Sequence, residues 1–251
     1  MDKEGAALVQ GASRGIGLEI VRQLLERDAG RRVFATCRSP GQASALTELE
    51  VHSQGRLAVL ELDLREEGTI ARAAERVAAA TGRLDLLINV AGVLHGPSFG
   101  PEKKLAQVEA DALRAVFEVN AFGPLLVAKH FHHLLQHGER SVFASLSARV
   151  GSISDNRLGG WYAYRGSKAA QNMFTKTVSI ELSRVAPNAI VVGLHPGTVD
   201  TDLSKPFQRG VPEGKLLSPS GSVSALLSVL DGLRAQDTGR VFDFRGEEIA
   251  P

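Results

Sequence analysis

Two side chains that can share a proton stand four positions apart in the chain, Tyr164 and Lys168. On a helix, residues four apart are neighbours. The only other tyrosine, Tyr162, has no lysine at that spacing. A free phenol has a pKa of about 10, and a nearby ammonium favours the phenolate and lowers that pKa. We therefore expect Tyr164 to act as a general acid or base, with Lys168 lowering its pKa.

Asn120 is a polar residue on an apolar helical stripe that includes Val116 and Phe117. A buried amide at that place needs hydrogen-bond partners. Pro124 follows four positions later and has no N–H, so the carbonyl of Asn120 lacks its usual helical donor. This carbonyl can hold a water molecule near the site. The alternative is a helix kink with a structural role only.

A glycine-rich turn, GASRGIG at residues 11–17, joins the first apolar run to a helical segment. Gly11 can take the positive φ of a tight turn. Gly15 lets the backbone approach a diphosphate, and Gly17 lets the helix pack closely on the strand. The free N–H groups at the helix start then face an anion. The turn predicts a dinucleotide site, and the alternative is a purely structural turn.

Short apolar runs alternate with longer segments of helical periodicity. Continuous apolar runs indicate strands that are covered on both faces, and this alternation predicts a mostly parallel sheet between two helical layers. Open sheets of this kind bind ligands beyond the carboxyl ends of their strands. Irregular segments follow predicted strand ends at 93–106, 150–161 and 197–219, and the last is a candidate lid. The runs lie at residues 6–9, 32–36, 57–60, 86–88, 141–144, 189–192 and 239–242.

The composition is that of an ordinary globular protein, which we expect to form one domain over residues 1–251. Hydrophobic residues make up 43% and charged residues 23% of the chain. The net charge of +1 gives no case for a nucleic-acid partner, and no run is long enough for a membrane span. The N-terminal residues show no signal-peptide pattern, and Cys37 is the single cysteine, so we expect a cytoplasmic protein. His133 and His137 have the spacing of a metal pair without an evident third ligand, so we expect no metal.

Five motifs in chain order resemble the short-chain dehydrogenase/reductase family. They are the glycine turn, Asn89-Val90-Ala91-Gly92, Asn120, Tyr164 with Lys168, and Pro196-Gly197. The resemblance implies a single-domain α/β protein with a Rossmann-type doubly wound parallel sheet, helices on both faces and strand order 3-2-1-4-5-6-7. Residues 156–168 and the ending 241–244 also resemble the branch that contains C-factor and sniffer-type carbonyl reductases.

The resemblance implies hydride transfer between a nicotinamide cofactor and a small carbonyl or alcohol substrate. Tyr164 would exchange the proton, Lys168 would also bind the nicotinamide ribose, and Asn120 would hold a water that relays protons to Lys168. The expected cofactor-binding residues are Gly11, Ser13, Arg14, Gly15, Ile16, Gly17, Arg38, Asp63, Leu64, Asn89, Ala91, Gly92, Tyr164, Lys168, Pro196, Gly197, Val199 and Thr201.

The charges near the end of the second predicted strand favour NADP(H) over NAD(H). Sites selective for NAD place a carboxylate there, whereas this chain has Cys37 followed by Arg38. Arg14 and Ser13 of the glycine turn can reach the same 2′-phosphate. The alternative is that both arginines are solvated surface residues. Asp63 matches the adenine contact of the family, with a helix N-cap as its structural alternative.

The serine position departs from the family pattern. The family serine stands three residues before a glycine, and counting back from Gly151 gives Ala148. A shift of one residue in a regular strand reverses the direction of the side chain, so Ser147 can orient the substrate oxygen only where the strand is irregular. We expect Ser147 in that role, with Ser152 as the alternative. Gln10 also occupies a position where the family often has threonine.

These features together predict an NADPH-dependent carbonyl reductase. One alternative, motivated by Ala148, is a nucleotide-binding signalling or interaction protein of the C-factor type with little turnover. Another is a 3-oxoacyl-type reductase for ketones bound to an acyl carrier. The family resemblance also implies a homodimer or homotetramer that assembles through helices near residues 106–136 and 162–185.

Overall fold

The apolar runs form the strands of one sheet in the computed structural model, which describes residues 5–251. All neighbouring strands of this sheet are parallel. The strands are β1 (Ala6–Gln10), β2 (Arg32–Cys37), β3 (Leu57–Glu61), β4 (Leu86–Asn89), β5 (Ser141–Leu146), β6 (Ala189–His195), β7 (Thr198–Val199), β8 (Leu216–Leu217) and β9 (Val241–Asp243). The sheet order is β3-β2-β1-β4-β5-β6-β9, and β7 pairs separately with β8. Since β9 is the seventh strand of the sheet, this is the predicted order.

Both faces of the sheet are covered, which explains why the strands are apolar throughout. In β1, Ala7 and Val9 join one buried cluster with the helices at residues 15–27, 44–52 and 219–232, whereas Ala6 and Leu8 join a second with the helices at residues 67–81, 123–131 and 162–185. The predicted doubly wound α/β fold is therefore confirmed. The helices are α1 (Gly15–Arg27), α2 (Ser44–His52), α3 (Glu67–Thr81), α4 (Ala110–Phe117), α5 (Gly123–Phe131), α6 (Tyr162–Val185) and α7 (Pro219–Gly232).

The strand order reverses at β1, which lies between β2 and β4. At such a reversal the connections leave toward opposite faces, and a crevice opens at the carboxyl ends of the strands. The irregular segments after β4, β5 and β6 lie at this edge. The candidate lid contains β7, β8 and a short 3₁₀ helix, Lys205–Gly210.

Some sequence predictions remain untested by the fold. The single-domain prediction and the N-terminal signal prediction include residues 1–4, which lie outside the described residues. Across residues 5–251, no helix is both long and apolar enough to cross a bilayer. In the same range, no group of three or more His, Cys, Asp or Glu side chains is arranged to hold a metal ion.

Candidate active site

Tyr164 and Lys168 lie on α6, where a short turn after β5 packs against them. Gly151 in this turn permits the approach, because an added Cβ there would lie 2.8 Å from the Cβ of Lys168. Lys168 is only 3% exposed, and its Nζ donates to the carbonyl of Leu146 at 2.7 Å and to Gln171 Oε1 at 3.0 Å. The same Nζ lies 5.8 Å from the ring centroid of Tyr164. The predicted pair is thus brought together in a buried setting.

Burial dominates the protonation of this pair. It raises the pKa of Tyr164 to about 12 and lowers the pKa of Lys168 to about 7. Removal from water disfavours both charged forms. That Lys168 lowers the pKa of Tyr164 stays a prediction. Tyr164 is a neutral phenol at pH 7, which suits a proton donor.

Asn120 lies in a π-helical segment, Glu118–Phe122, between α4 and α5. Gly123 donates its N–H to the carbonyl of Glu118, five residues back. Pro124 has no N–H to offer the carbonyl of Asn120, so the sequence accounts for the irregularity at this point. Single π turns inside α-helices are frequent at functional sites.

The buried Asn120 amide is held from both sides. Its Oδ1 accepts from the N–H of Val93 at 2.7 Å, and its Nδ2 donates to the carbonyl of Val93 at 2.8 Å and to Ser167 Oγ at 3.1 Å. An added Cβ at Gly92 would lie 3.4 Å from Asn120 Oδ1 and 3.7 Å from Lys168 Nζ. Asn120 therefore joins the segment after β4 to α6, and its role in a water relay stays a prediction.

The serine candidates are both engaged with other protein groups. Ser147 lines the cavity described below, but its Oγ donates to Asn172 Oδ1 on α6 at 2.6 Å. The pairing of β5 with β6 continues at Ser147, whose N–H donates to Leu194, so the alternation places this side chain on the α6 side. Ser152 accepts from the N–H of Asp155 and is not part of the cavity wall. Ala148 does line the cavity.

A cavity of about 410 Å³ opens beside Tyr164. Its apolar walls come from the segments after β4, β5 and β6, and include Leu94, Val150, Leu203 and Phe207. Ile16, Pro196, Gly197, Val199 and Thr201 line the same cavity. The structure thus brings these predicted cofactor-binding residues together with the predicted proton donor.

An aromatic wall closes one part of this cavity. Trp161 lies 5.3 Å from Phe207 and 6.1 Å from Tyr164, measured between ring centroids. Trp161 has a φ of +53° and follows two glycines that are also left-handed, Gly159 and Gly160. A left-handed tryptophan is rare, and strained residues of this kind cluster at functional sites.

The glycine turn has the shape of an anion cradle. Gly11 has a φ of +82°, and an added Cβ there would lie 2.6 Å from the backbone nitrogen of Ala91. Gly17 packs directly over the carbonyl of Gly11, so no side chain fits at either position. No side chain in the described part of the chain caps the N-terminus of α1, and its first turn contains no acidic residue. Gln10, the departure from the family pattern, accepts from the N–H of Ala91 through Oε1 at 3.2 Å and ties the turn to β4.

Both arginines and carboxylates lie near the end of β2, where Glu61 of β3 is the register partner of Cys37. Arg38 is exposed, and Arg14 is exposed with only a surface ion pair to Asp202 at 3.3 Å. Burial raises the pKa of the Cys37 thiol, so this residue is neutral. Burial alone would raise the pKa of Asp63, but its hydrogen bonds to Arg65 outweigh that and hold the pKa below its ordinary value.

Asp63 is not the N-cap of α3, since that position belongs to Glu66. Leu64 is buried in the core, and an added Cβ at Gly123 would lie 2.7 Å from the Cβ of Leu64, so its side chain faces away from solvent. Asn89 is buried, donates to Ser145 Oγ at 3.2 Å, and has no protein partner for Oδ1 among the described residues. An added Cβ at Gly15 would lie 3.5 Å from the methyl of Thr201, so the lid segment reaches the turn that contains Ser13.

Two residues with a place in the site were missed from the sequence. His195 ends β6 and lines the cavity, and burial lowers its pKa to about 4, so it is neutral at pH 7. Its position directly before Pro196, at a strand end, was a usable signal. Gln171 binds Lys168, and its spacing of three residues on the same helix pointed to such a contact.

This geometry defines a class of protein. A glycine turn at the first strand of a doubly wound sheet binds dinucleotides. Here it adjoins a cavity that is lined by the buried phenol of Tyr164, the predicted proton donor. The class is that of the oxidoreductases built on a Rossmann-type doubly wound sheet.

The chain belongs to the short chain dehydrogenase family, whose sequence profile matches residues 5–211. It is similar to the NADPH-bound carbonyl reductase from chicken fatty liver, with a TM-score of 0.86 and 29% identity over 98% of each chain. It is similar to the carbonyl reductase Sniffer of D. melanogaster, with a TM-score of 0.86 and 25% identity over 99% of each chain. The C-signal protein of Myxococcus xanthus is 38% identical over 169 residues, which are 67% of this chain and 93% of that protein.

Proposed function

We propose that the protein is an NADPH-dependent carbonyl reductase that converts an aldehyde or ketone into an alcohol. The observation that carries this proposal is the neutral phenol of Tyr164 on the cavity wall, beside Ile16 of the glycine turn. A carbonyl oxygen that receives electrons needs a proton donor, and Tyr164 retains its proton at neutral pH. Two carbonyl reductases of known structure share the fold over nearly the whole chain, which supports this choice.

The residues present fit NADP(H). The turn at 11–17 would hold the diphosphate. Arg14 and Arg38 would bind the 2′-phosphate, since β2 ends in Cys37 and not in a carboxylate. Asp63 would contact the adenine. Asn89, whose Oδ1 has no protein partner among residues 5–251, ends β4 just before Ala91 and Gly92, and these residues would support the nicotinamide side of the cofactor.

When bound, NADPH supplies the hydride that adds to the carbonyl carbon. Tyr164 gives the carbonyl oxygen its proton, which completes the alcohol. Lys168, with a pKa of about 7, takes up and releases protons near neutrality and restores the phenol. Asn120 holds the segment after β4 against α6 and would position the relay water. Ser147 remains our candidate for orienting the substrate oxygen, and it must first release Asn172.

The direct test measures NADPH oxidation with a panel of quinones, aldehydes and ketones. We expect turnover by the wild type and a loss of at least 1000-fold in kcat/KM for Tyr164→Phe, on the order of magnitude of a lost proton donor. The matched control is Tyr162→Phe, because Tyr162 is 40% exposed and lies outside the cavity wall. Turnover that survives Tyr164→Phe unchanged would refute the assigned proton donor.

A second candidate is a nucleotide-binding signalling protein with little turnover. The similarity to the C-signal protein and the alanine at position 148 favour it. Tight NADPH binding by both wild type and Tyr164→Phe, without oxidation of any panel compound, would support this candidate. The lid over 197–219 and assembly into a homodimer or homotetramer stay predictions.

A further inference from the structure

The charged part of the cavity wall is strongly cationic. Arg149, Arg157 and Arg165 all line the cavity, whereas Asp155 is the one carboxylate in its wall along the described chain. His195 is neutral because burial lowers its pKa to about 4. Arg14 and Arg38 belong to the glycine turn and the end of β2, whereas these cations come from the segment after β5 and the start of α6. They are therefore separate from the arginines expected at the cofactor phosphates.

Only one of the three arginines has its charge matched. Arg149 pairs with Asp243 at 3.2 Å and with Asp155 at 3.8 Å. Among residues 5–251, neither Arg157 nor Arg165 has a carboxylate at salt-bridge distance. The buried carboxylate of Glu102 accepts from the N–H of Ala163 through Oε2 and makes no salt bridge with Arg165 among the described residues.

Arg165 is also held in place. Its Nε donates to the carbonyl of Gly160 at 3.1 Å and its Nη1 to the carbonyl of Val150 at 3.4 Å. A guanidinium carries five N–H donors, so donors remain after these two bonds. A fixed guanidinium without a counter-charge, on the wall of a largely apolar cavity, suits a planar carboxylate that accepts two parallel hydrogen bonds.

We propose that the carbonyl substrate carries a carboxylate, which Arg165 binds directly and Arg157 attracts as a second cation. Trp161 and Phe207 provide an aromatic wall for the apolar body of this substrate. Arg165 and Tyr164 both line this cavity, so one substrate can place its carboxylate at Arg165 and its carbonyl at Tyr164. This inference rests on the proposed reductase function, because it names the substrate class of that site.

The chain provides its own reporter for the test. Trp161 is the single tryptophan and lies on the cavity wall, so its fluorescence follows ligand binding without any turnover. The probes are 4-formylbenzoate and its methyl ester, titrated with and without saturating NADP⁺. These two probes share the ring and the aldehyde and differ in charge.

We expect the wild type to bind the acid at least about tenfold more tightly than the ester, the scale of one charge-assisted contact. The preference for the acid over the ester should decrease as the salt concentration rises from about 0.05 to about 0.5 M, because salt screens accessible charges. Arg165→Gln should remove most of it, Arg157→Gln should reduce it, and Arg165→Lys should retain part. Arg184→Gln is the matched control, since Arg184 is exposed on the same helix and outside the cavity.

Equal affinity for acid and ester in the wild type, including no response to either, overturns the inference. A preference that persists in the double variant Arg157→Gln/Arg165→Gln also overturns it. Kinetics with NADPH separate this result from the reductase proposal. Turnover of the ester without a preference for the acid would support the reductase proposal and contradict the anion site. Selective binding of the acid without turnover would support the anion site and contradict the reductase proposal.

Discussion

Replacing Lys168 with methionine should change how stability depends on pH. Burial lowers the pKa of Lys168 to about 7, whereas an unfolded chain retains the ordinary lysine pKa of about 10.4. Between these values the unfolded state binds the additional proton, so the free energy of unfolding of the wild type rises with pH. Lys168→Met lacks this group and keeps every other titrating residue, so the difference between the two proteins isolates Lys168.

The size of the effect follows from the two pKa values. The slope of the difference approaches about 1.4 kcal/mol per pH unit above pH 8, and integration from pH 7 to 9 gives roughly 2 kcal/mol in favour of the wild type. The lost bonds to Leu146 and Gln171 add an offset that does not vary with pH.

Urea unfolding of both proteins at pH 7, 8 and 9 measures the difference directly. A flat difference across this range would refute the reasoning, because it would mean that the two acceptors keep Lys168 charged in spite of its burial. The pH dependence of kcat should then also lack a transition near 7.

Three other substitutions test separate parts of the site. Arg38→Glu should lower the ratio of kcat/KM for NADPH to that for NADH by about 100-fold, because a carboxylate repels the 2′-phosphate. Ala148→Ser adds a hydroxyl to the cavity wall and should raise kcat roughly tenfold by orienting the developing oxyanion, as judged by steady-state kinetics. Asn120→Ala leaves the backbone groups of Val93 without their partners and should lower the unfolding free energy by about 3 kcal/mol in urea titrations.

Each of these substitutions has a control or a contrary outcome. Arg184→Glu changes an exposed arginine outside the site and should leave the NADPH:NADH ratio as it is. An unchanged kcat in Ala148→Ser would contradict a missing hydroxyl at this position. It would favour Ser147 as the residue that already donates a hydrogen bond to the substrate oxygen beside Tyr164. Asn188→Ala removes one exposed bond to Gly138, so a loss equal to that of Asn120→Ala would contradict the buried role of Asn120.

The sheet was predictable because its strands are apolar on both faces and separated by amphipathic helices. The two-residue strands β7 and β8 were not, since two residues are too short to show a period. The π segment around Asn120 was partly predictable. Pro124 signals an interrupted helix, although the sequence does not say which kind of turn absorbs the interruption.

The positions of the site residues were more predictable than their chemistry. The pKa of Tyr164 depends on burial by segments that are distant in sequence, and the spacing to Lys168 gives no sign of that burial. The charge balance of the cavity wall could not be predicted from the sequence either. Arg149 finds its carboxylate in Asp243, 94 residues later, whereas Arg165 has none among the described residues, and no local pattern distinguishes them.

The place of β1 in the sheet has a consequence for synthesis on the ribosome. β1 is synthesised before the other strands of the sheet, yet one of its two neighbours is β4. Val9 can pair with its register partner Ile88 only after Ile88 has been synthesised. At roughly 5–20 residues per second, the interval between the synthesis of Val9 and that of Ile88 is about 4–16 s, and during it one edge of β1 has no partner strand. Gly11 also packs against Ala91, so the phosphate cradle closes only after β4 has emerged. A ligand bound at this turn therefore stabilises the chain only after β4 has been synthesised.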